Sequence, residues 1–231
     1  MKNKAFIIAI VIVGLFAGGF VVLKNMTPAP DSKSATATAP AQAPPAAAQN
    51  NFRVVPADTS QLVKPHSITK GPANARVTLV EYLDPECESC ARMNPYVKKI
   101  VKEFEKDLRV VVRYMPYHGN SKLVANILEG ARAEGKYWET LDILFETQSQ
   151  WANHHQPRPD LIPEILKPLG LNMKKIMADA QAGKFDQLIM EDAEDGKNLG
   201  VNGTPTFFVN GSKLEELGYE PLRLEIQKYL R

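Results

Sequence analysis

Residues 77–90 read Val77-Thr78-Leu79-Val80-Glu81-Tyr82-Leu83-Asp84-Pro85-Glu86-Cys87-Glu88-Ser89-Cys90, and this stretch decides the reading of the whole chain. Its first half is an apolar, β-branched run, as expected of a buried strand. A proline-containing turn follows, and then two cysteines two residues apart at the start of a helical pattern. They are the only cysteines among 231 residues. A strand, a turn and a Cys-x-x-Cys opening a helix is the arrangement in which this spacing carries redox chemistry.

Three plainer readings compete with that one. A structural zinc site needs four ligands, usually two such pairs or one pair with histidines. The chain has four histidines, His66, His118, His154 and His155, and none stands at finger spacing from the cysteines. No metal site is expected, although copper(I) or a site shared between subunits stays open as an alternative. A static disulfide closing so short a loop removes little entropy from the unfolded chain. Two inert buried thiols are the remaining alternative.

Working outward toward the N-terminus, residues 5–23 are nineteen consecutive uncharged positions, preceded by Lys2 and Lys4. At 1.5 Å per residue such a helix just crosses a hydrocarbon core of roughly 30 Å. The small-x-small sequence Ala35-Thr36-Ala37 lies far beyond that run, so residues 1–24 are expected to form an uncleaved signal anchor rather than a cleaved peptide. No cysteine follows the apolar run to carry a lipid. Lys2 and Lys4 hold the N-terminus inside. The rest of the chain is then expected in the periplasm or another extracytoplasmic space, tethered by a single pass to the bacterial inner membrane, where disulfides persist. Residues 25–50 hold five prolines and nine alanines and no aromatic or branched aliphatic side chain. They read as a disordered tether.

Residues 51–231 are the size of one domain with a proper core. The formal net charge is +2 and the charges are dispersed, which argues against nucleic-acid binding. After the first strand, a helix is predicted over 91–106 and a second strand over 109–115, which makes the two strands a parallel pair. Helices are predicted over 122–134, 136–151, 160–169 and 173–199, the last region interrupted near Gly183. Residues 206–209 return to strand character, Asn210-Gly211 marks a hairpin turn, and a last amphipathic helix runs over about 221–230.

Taken with the segment Gly203-Thr204-Pro205-Thr206-Phe207-Phe208-Val209 and the helical block between, the Cys-x-x-Cys resembles the DsbA-like branch of thioredoxin-fold oxidoreductases. Pro95, five residues after Cys90, matches the proline of the family's active-site helix. The resemblance covers about residues 62–230. It implies an α/β thioredoxin fold with an inserted helical domain at about 118–200, following the transmembrane helix and the disordered linker. It also implies that Pro205 is cis and lies beside the cysteines, and that Gly203, Thr204 and Pro205 bind an extended substrate peptide. Glu81, six residues before Cys87, matches a buried acid that relays protons to the resolving cysteine.

The residues themselves support several of these roles. At a helix N-terminus unpaired N–H groups favour a thiolate, so Cys87 is expected to be the exposed, attacking sulfur and Cys90 the resolving one. Glu81 shares a strand face with Val77, Leu79 and Leu83, and burial there should raise its pKa. An edge-strand position facing water is the alternative, and Arg113 is a candidate counter-charge. Asp84, Glu86 and Glu88 are expected to crowd Cys87 with negative charge and largely offset the helix effect. The result would be a pKa above that of the strongest oxidases. The pair His154-His155 reads as solvent-facing sequence.

The expected function is a membrane-anchored thiol:disulfide oxidoreductase that introduces disulfides into exported proteins. Its partners would be reduced or unfolded substrates and a membrane redox protein, DsbB-like for an oxidase or DsbD-like for a reductase. No cofactor is called for, because the two cysteines are themselves the redox group. An isomerase or reductase is one alternative. A non-catalytic thioredoxin-like chaperone or copper-binding module is another.

Overall fold

The structure is a computed structural model that describes residues 59–231, residue 154 excepted. The expected membrane anchor (1–24), the tether (25–50) and His154 lie outside the described residues. Among the described residues no helix is long and apolar enough to cross a membrane.

A short helix α1 (Thr59–Leu62) leads to β1 (Ile68–Lys70), and then β2 (Val77–Leu83), α2 (Glu88–Glu103) and β3 (Leu108–Tyr114) follow. Between β3 and the next strand the chain is helical: α3 (Ser121–Ala133), α4 (Tyr137–Glu146), α5 (Gln148–Trp151), α6 (Ile162–Ile165), α7 (Met173–Gln181) and α8 (Asp186–Asn198). It closes with β4 (Thr206–Val209), β5 (Ser212–Lys213) and α9 (Tyr219–Lys228). The strands form one sheet in the order β1-β3-β2-β4-β5. β2 and β3 are parallel, whereas β1, β4 and β5 each run antiparallel to a neighbour.

β2 sits in the middle, and all seven of its residues are buried. That explains why Val77–Leu83 reads as a nearly continuous apolar run, since both faces are covered. On one face Val77, Leu79, Val110, Phe207 and Val209 pack against Met93, Val97 and Ile100 of α2 and Leu222 and Ile226 of α9. On the other, Val80, Tyr82, Val111 and Phe208 pack with Leu62 and with Ala193 of α8. A third cluster continues from Leu83, Val112 and Tyr114 into the helical block, through Val124, Leu128, Leu144 and Trp151. Each fully buried side chain of this size contributes about 1.5–3 kcal/mol. The block therefore shares its core with the end of the sheet where Leu83 leads into the cysteines.

Several sequence expectations need adjustment. The helix after the cysteines begins at Glu88, three residues early, which makes Cys87 its N-cap. β1 escaped the sequence reading because Ile68-Thr69-Lys70 is too short to show a period. The 160–169 region is not one helix: Pro163 and Pro168 divide it into α6 and 3-10 turns at Pro159–Leu161 and Lys167–Leu169. The break near Gly183 is present, and that residue has φ +66. Asn210 and Gly211 both have positive φ, as the two-residue hairpin between β4 and β5 requires.

Register corrects one pairing. Glu81 lies opposite Val112, and Tyr82 lies opposite Arg113. Arg113 therefore points to the other side of the sheet and is not the counter-charge of Glu81. It pairs instead with Asp192 and with Asp195 (2.7 Å), both on α8, and donates to the Leu62 carbonyl at 3.0 Å.

Candidate active site

The site forms where β2 ends. Leu83 is followed by the turn Asp84-Pro85-Glu86, and Cys87 caps α2 with extended backbone angles (φ −78, ψ 122). Cys90 lies one turn inside and is fully buried, with its Sγ 3.5 Å from the Asp84 N–H. β4 starts beside the end of β2, with Thr206 opposite Tyr82, so the loop before it reaches the cysteines across 117 residues of sequence. There Cys87 Sγ donates to the Thr204 carbonyl at 3.3 Å. The Thr204–Pro205 peptide is cis, and the Thr206 hydroxyl fastens the loop by donating to the Gly203 carbonyl at 2.7 Å. The structure thus brings Cys87, Cys90, Thr204, Pro205 and Gly203 together.

Both cysteines are reduced. Cys87 is less open than the sequence suggested, at 8 % exposure, because the Thr204 loop leans over it. It is nevertheless the more accessible of the two. The thiols diverge strongly in acidity. Cys87 is lowered to about 5, chiefly by the hydrogen bond from the Cys90 thiol, against the effect of burial. The Thr204 side chain and the N–H groups of Cys90 and Ser89 add to this lowering. Neither N–H closes a capping hydrogen bond by geometry, so their contribution is that of the helix terminus as a whole. Cys90 is raised well above its ordinary value by burial, by donating to Cys87 and by the charge of Glu81.

Glu81 is 5 % exposed on the central strand, not at an edge, so the water-facing alternative does not hold. Burial pushes its carboxyl up to about 8, with a further push from the Cys87 charge. Among the described residues it has no ion pair. Near neutrality it holds its proton, and its charge is among the groups felt by Cys90.

The expected crowding of Cys87 by acids is corrected. Asp84 is fully buried and accepts hydrogen bonds from the N–H groups of Glu86 (2.8 Å), Tyr117 (2.7 Å) and His118 (3.1 Å), from the Ser121 hydroxyl and from His118 Nδ1 (2.8 Å). Glu86 is also buried, and it accepts from the Asn120 N–H (2.7 Å) and side-chain amide (2.8 Å). Both carboxylates are thus engaged at the start of α3, whose N-cap Asn120 makes no side-chain capping bond to the helix itself. Only Glu88 stays on the surface. The acids tie the helical block to the cysteine turn, and the near-cancellation expected at Cys87 does not occur. His118 lies three residues before the start of α3. Its pKa is raised by Asp84, Cys87 and Glu86 in spite of partial burial.

Asp84, Glu86 and His118 were not picked out as a unit in the sequence. The only local signal was the pair of acids flanking Pro85, and their partners lie 33–37 residues away.

Comparison with known proteins gives a consistent picture. Residues 64–228 match the family model described as Thioredoxin. Over 145 residues the chain is 34% identical to a Na(+)/H(+) antiporter NhaA of Herminiimonas arsenicoxydans, covering 63% of this chain but 22% of that protein. The chain thus spans about a fifth of the length of that curated relative. Among solved structures, oxidised BdbD from Bacillus subtilis superposes with a TM-score of 0.65 at 24% identity, covering 71% of this chain and 92% of the other. Wolbachia pipientis alpha-DsbA1 superposes with a TM-score of 0.67 at 18% identity, covering 75% and 95%. At such identities these two structures establish likeness of fold.

Proposed function

The chain belongs to the thioredoxin family, and from that premise we propose that it is a thiol:disulfide oxidoreductase that promotes disulfide formation in exported proteins. The observation that carries this reading is the divergence of the two thiols, Cys87 held near 5 and Cys90 held high, beside the cis Thr204–Pro205 peptide.

The chemistry follows from that divergence. In the oxidised protein a substrate thiolate attacks Cys87 Sγ, the Cys87–Cys90 bond breaks, and its electron pair leaves on Cys90. Glu81, protonated near neutrality, supplies the proton that the high-pKa Cys90 thiolate takes up. A second substrate thiolate then attacks the substrate sulfur of the mixed disulfide and expels Cys87 as a stable thiolate. The substrate leaves oxidised and the protein is left reduced. The backbone at Gly203 and Thr204 is suited to pairing with the substrate as an added strand.

Linkage supports the oxidising direction. A thiolate at Cys87 stabilises only the reduced protein. At pH 7 a pKa near 5 favours that state by roughly 2–3 kcal/mol over an ordinary thiol, or on the order of 50 mV toward oxidising power. Such a value falls inside the roughly 3.5–7.5 range of activated cysteines, above its most oxidising end. A reductase or isomerase would be better served by a more reducing pair. The proposed setting is extracytoplasmic, with residues 1–24 as membrane anchor and a membrane redox protein restoring the disulfide.

The test is to equilibrate the purified protein with defined glutathione ratios and to offer it a reduced, unfolded substrate and a scrambled one. Oxidation of the first in preference to rescue of the second is expected. Preferential rescue would move the assignment to isomerase, and failure at both with tight copper(I) binding would move it to a binding module.

A further inference from the structure

On a flank of the domain lined by neither cysteine, a cavity of about 510 Å³ lies between α2, α4 and the edge formed by β1 and β3. That volume falls within the roughly 300–1,000 Å³ typical of small-molecule sites. Its apolar floor is built from Val97 and Val101 of α2, Leu108 and Val110 of β3, and Trp138 of α4. The space stays open because the chain turns away at Gly71, where φ is +103 and a Cβ would lie 2.3 Å from the Leu108 carbonyl oxygen. No side chain at that position can fill the gap.

The charges around this floor are not symmetric. Lys98 is engaged with Asp142 at 3.0 Å and Glu146 at 3.7 Å. Lys70 is different. Its register partner is Val110, so its stem leaves the core-facing side of the sheet, although the residue is exposed. Its ammonium stands 5.3 Å from the centroid of the Trp138 ring, and Glu139, outside the lining, also feels its charge. Lys102 also lines the cavity and has no ion pair among the described residues. Against these two cations the lining offers one unengaged acid, Glu105. An inward lysine on an edge strand can serve to discourage strand pairing. That role accounts for Lys70 but not for the half-open tryptophan, the apolar floor or Lys102.

We propose that this cavity binds a single-chain carboxylic acid, its hydrocarbon tail against Val97, Val101, Val110 and Trp138 and its carboxylate at the ammonium groups of Lys70 and Lys102. Charge selects the class. An uncharged chain forgoes the attraction of the two ammonium groups, and a cationic amphiphile meets two like charges. The apolar contacts hold the tail, and the ammonium groups fix its orientation.

The test is a titration of the full chain with decanoate below its micelle concentration, read by tryptophan fluorescence. Trp138 lines the cavity, whereas Trp151 is fully buried outside it and reports the fold. A saturable change is expected, and Trp138→Phe should abolish it. Lys70→Gln should weaken binding roughly fivefold to tenfold, the scale of one lost charge-assisted contact, while Lys70→Arg restores it. Decanol, with the same tail and no charge, should bind more weakly by a similar factor. Equal affinity for decanol and decanoate would overturn the proposal, as would unaltered affinity in Lys70→Gln with an unchanged unfolding midpoint. The absence of a saturable response in the wild type would do the same. Thiol exchange in Lys70→Gln should stay at the wild-type rate, so this test and that of the redox reading succeed or fail separately.

Discussion

Glu81 and Arg113 stand one register position apart on neighbouring strands and on opposite faces of the same sheet, yet the protein treats their charges in opposite ways. Arg113 is fully buried and fully matched. Asp192 and Asp195 take its guanidinium, the Leu62 carbonyl takes a further N–H, and the Tyr82 ring lies 5.5 Å away. Asp192 in turn accepts from the Tyr114 N–H at 3.0 Å and from His66 at 2.7 Å. Glu81 has no ion pair among the described residues, and burial keeps it protonated up to about pH 8. A buried charge with every partner supplied holds structure together, and removing one partner strands the other. A buried acid left without a partner titrates near neutrality, which is what the proposed proton transfer to Cys90 would require.

The largest expected effect is at the cysteines. Cys87→Ser should reduce thiol–disulfide exchange to background, and Cys90→Ser should accumulate mixed disulfides with substrate, visible by non-reducing electrophoresis. Thiolate absorbance of the reduced protein should titrate with a midpoint near 5, in line with the shift at Cys87. A midpoint above about 7, the thioredoxin end of the range, would remove the argument for an oxidase.

Next in size is the matched face. Asp192→Ala leaves Arg113 short of a partner and should lower unfolding stability by about 3–5 kcal/mol in urea titration. The Cys87 midpoint of the folded protein should not move. A coupled shift in acidity would mean that the two faces are not independent.

Glu81→Gln should act the other way on stability. The wild-type carboxyl holds a proton in the folded state that the unfolded chain has already lost. Stability therefore falls as pH rises from about 4.5 to about 8. The glutamine variant should lack that fall and be more stable than the wild type at pH 8 by on the order of a few kcal/mol. Its step of proton delivery to Cys90 should be slower, with the loss greatest near neutrality. Equal pH dependence in the two proteins would place Glu81 in contact with water.

The smallest effect is expected at Glu86→Gln, where one charge-assisted anchor of α3 is weakened. About 1 kcal/mol of stability should be lost, and the Cys87 midpoint should move by less than half a pH unit, roughly 0.7 kcal/mol. A larger shift would restore the view that the neighbouring acids set the thiol's acidity.

Much of this was legible in the chain because it is local. The apolar run of Val77–Leu83, the turn at Pro85 and the spacing of Cys87 and Cys90 announce a strand, a break and a helix start from neighbouring residues alone. Asn210-Gly211 announces its hairpin in the same way, through backbone preference. β1 was missed because three residues carry no period, and the 160–169 region was read as one helix because its apolar spacing outweighed two prolines. The placement of Arg113 was missed for a different reason. Which face a strand residue meets depends on register against another strand, and one position of register exchanges the faces.

The sequence by itself determined the element order, the dithiol at a helix start and the proline segment that would come to lie near it. Only the tertiary structure decided the chemistry around that dithiol. It buried Asp84 and Glu86 under the start of α3, set Thr204 against Cys87 and left Glu81 unmatched behind Cys90. The physical reason is that a pKa answers to burial and to charges within a few ångströms. At Cys87 the local groups Cys90 and Ser89 are joined by Thr204, 117 residues distant along the chain, and the burial itself is tertiary.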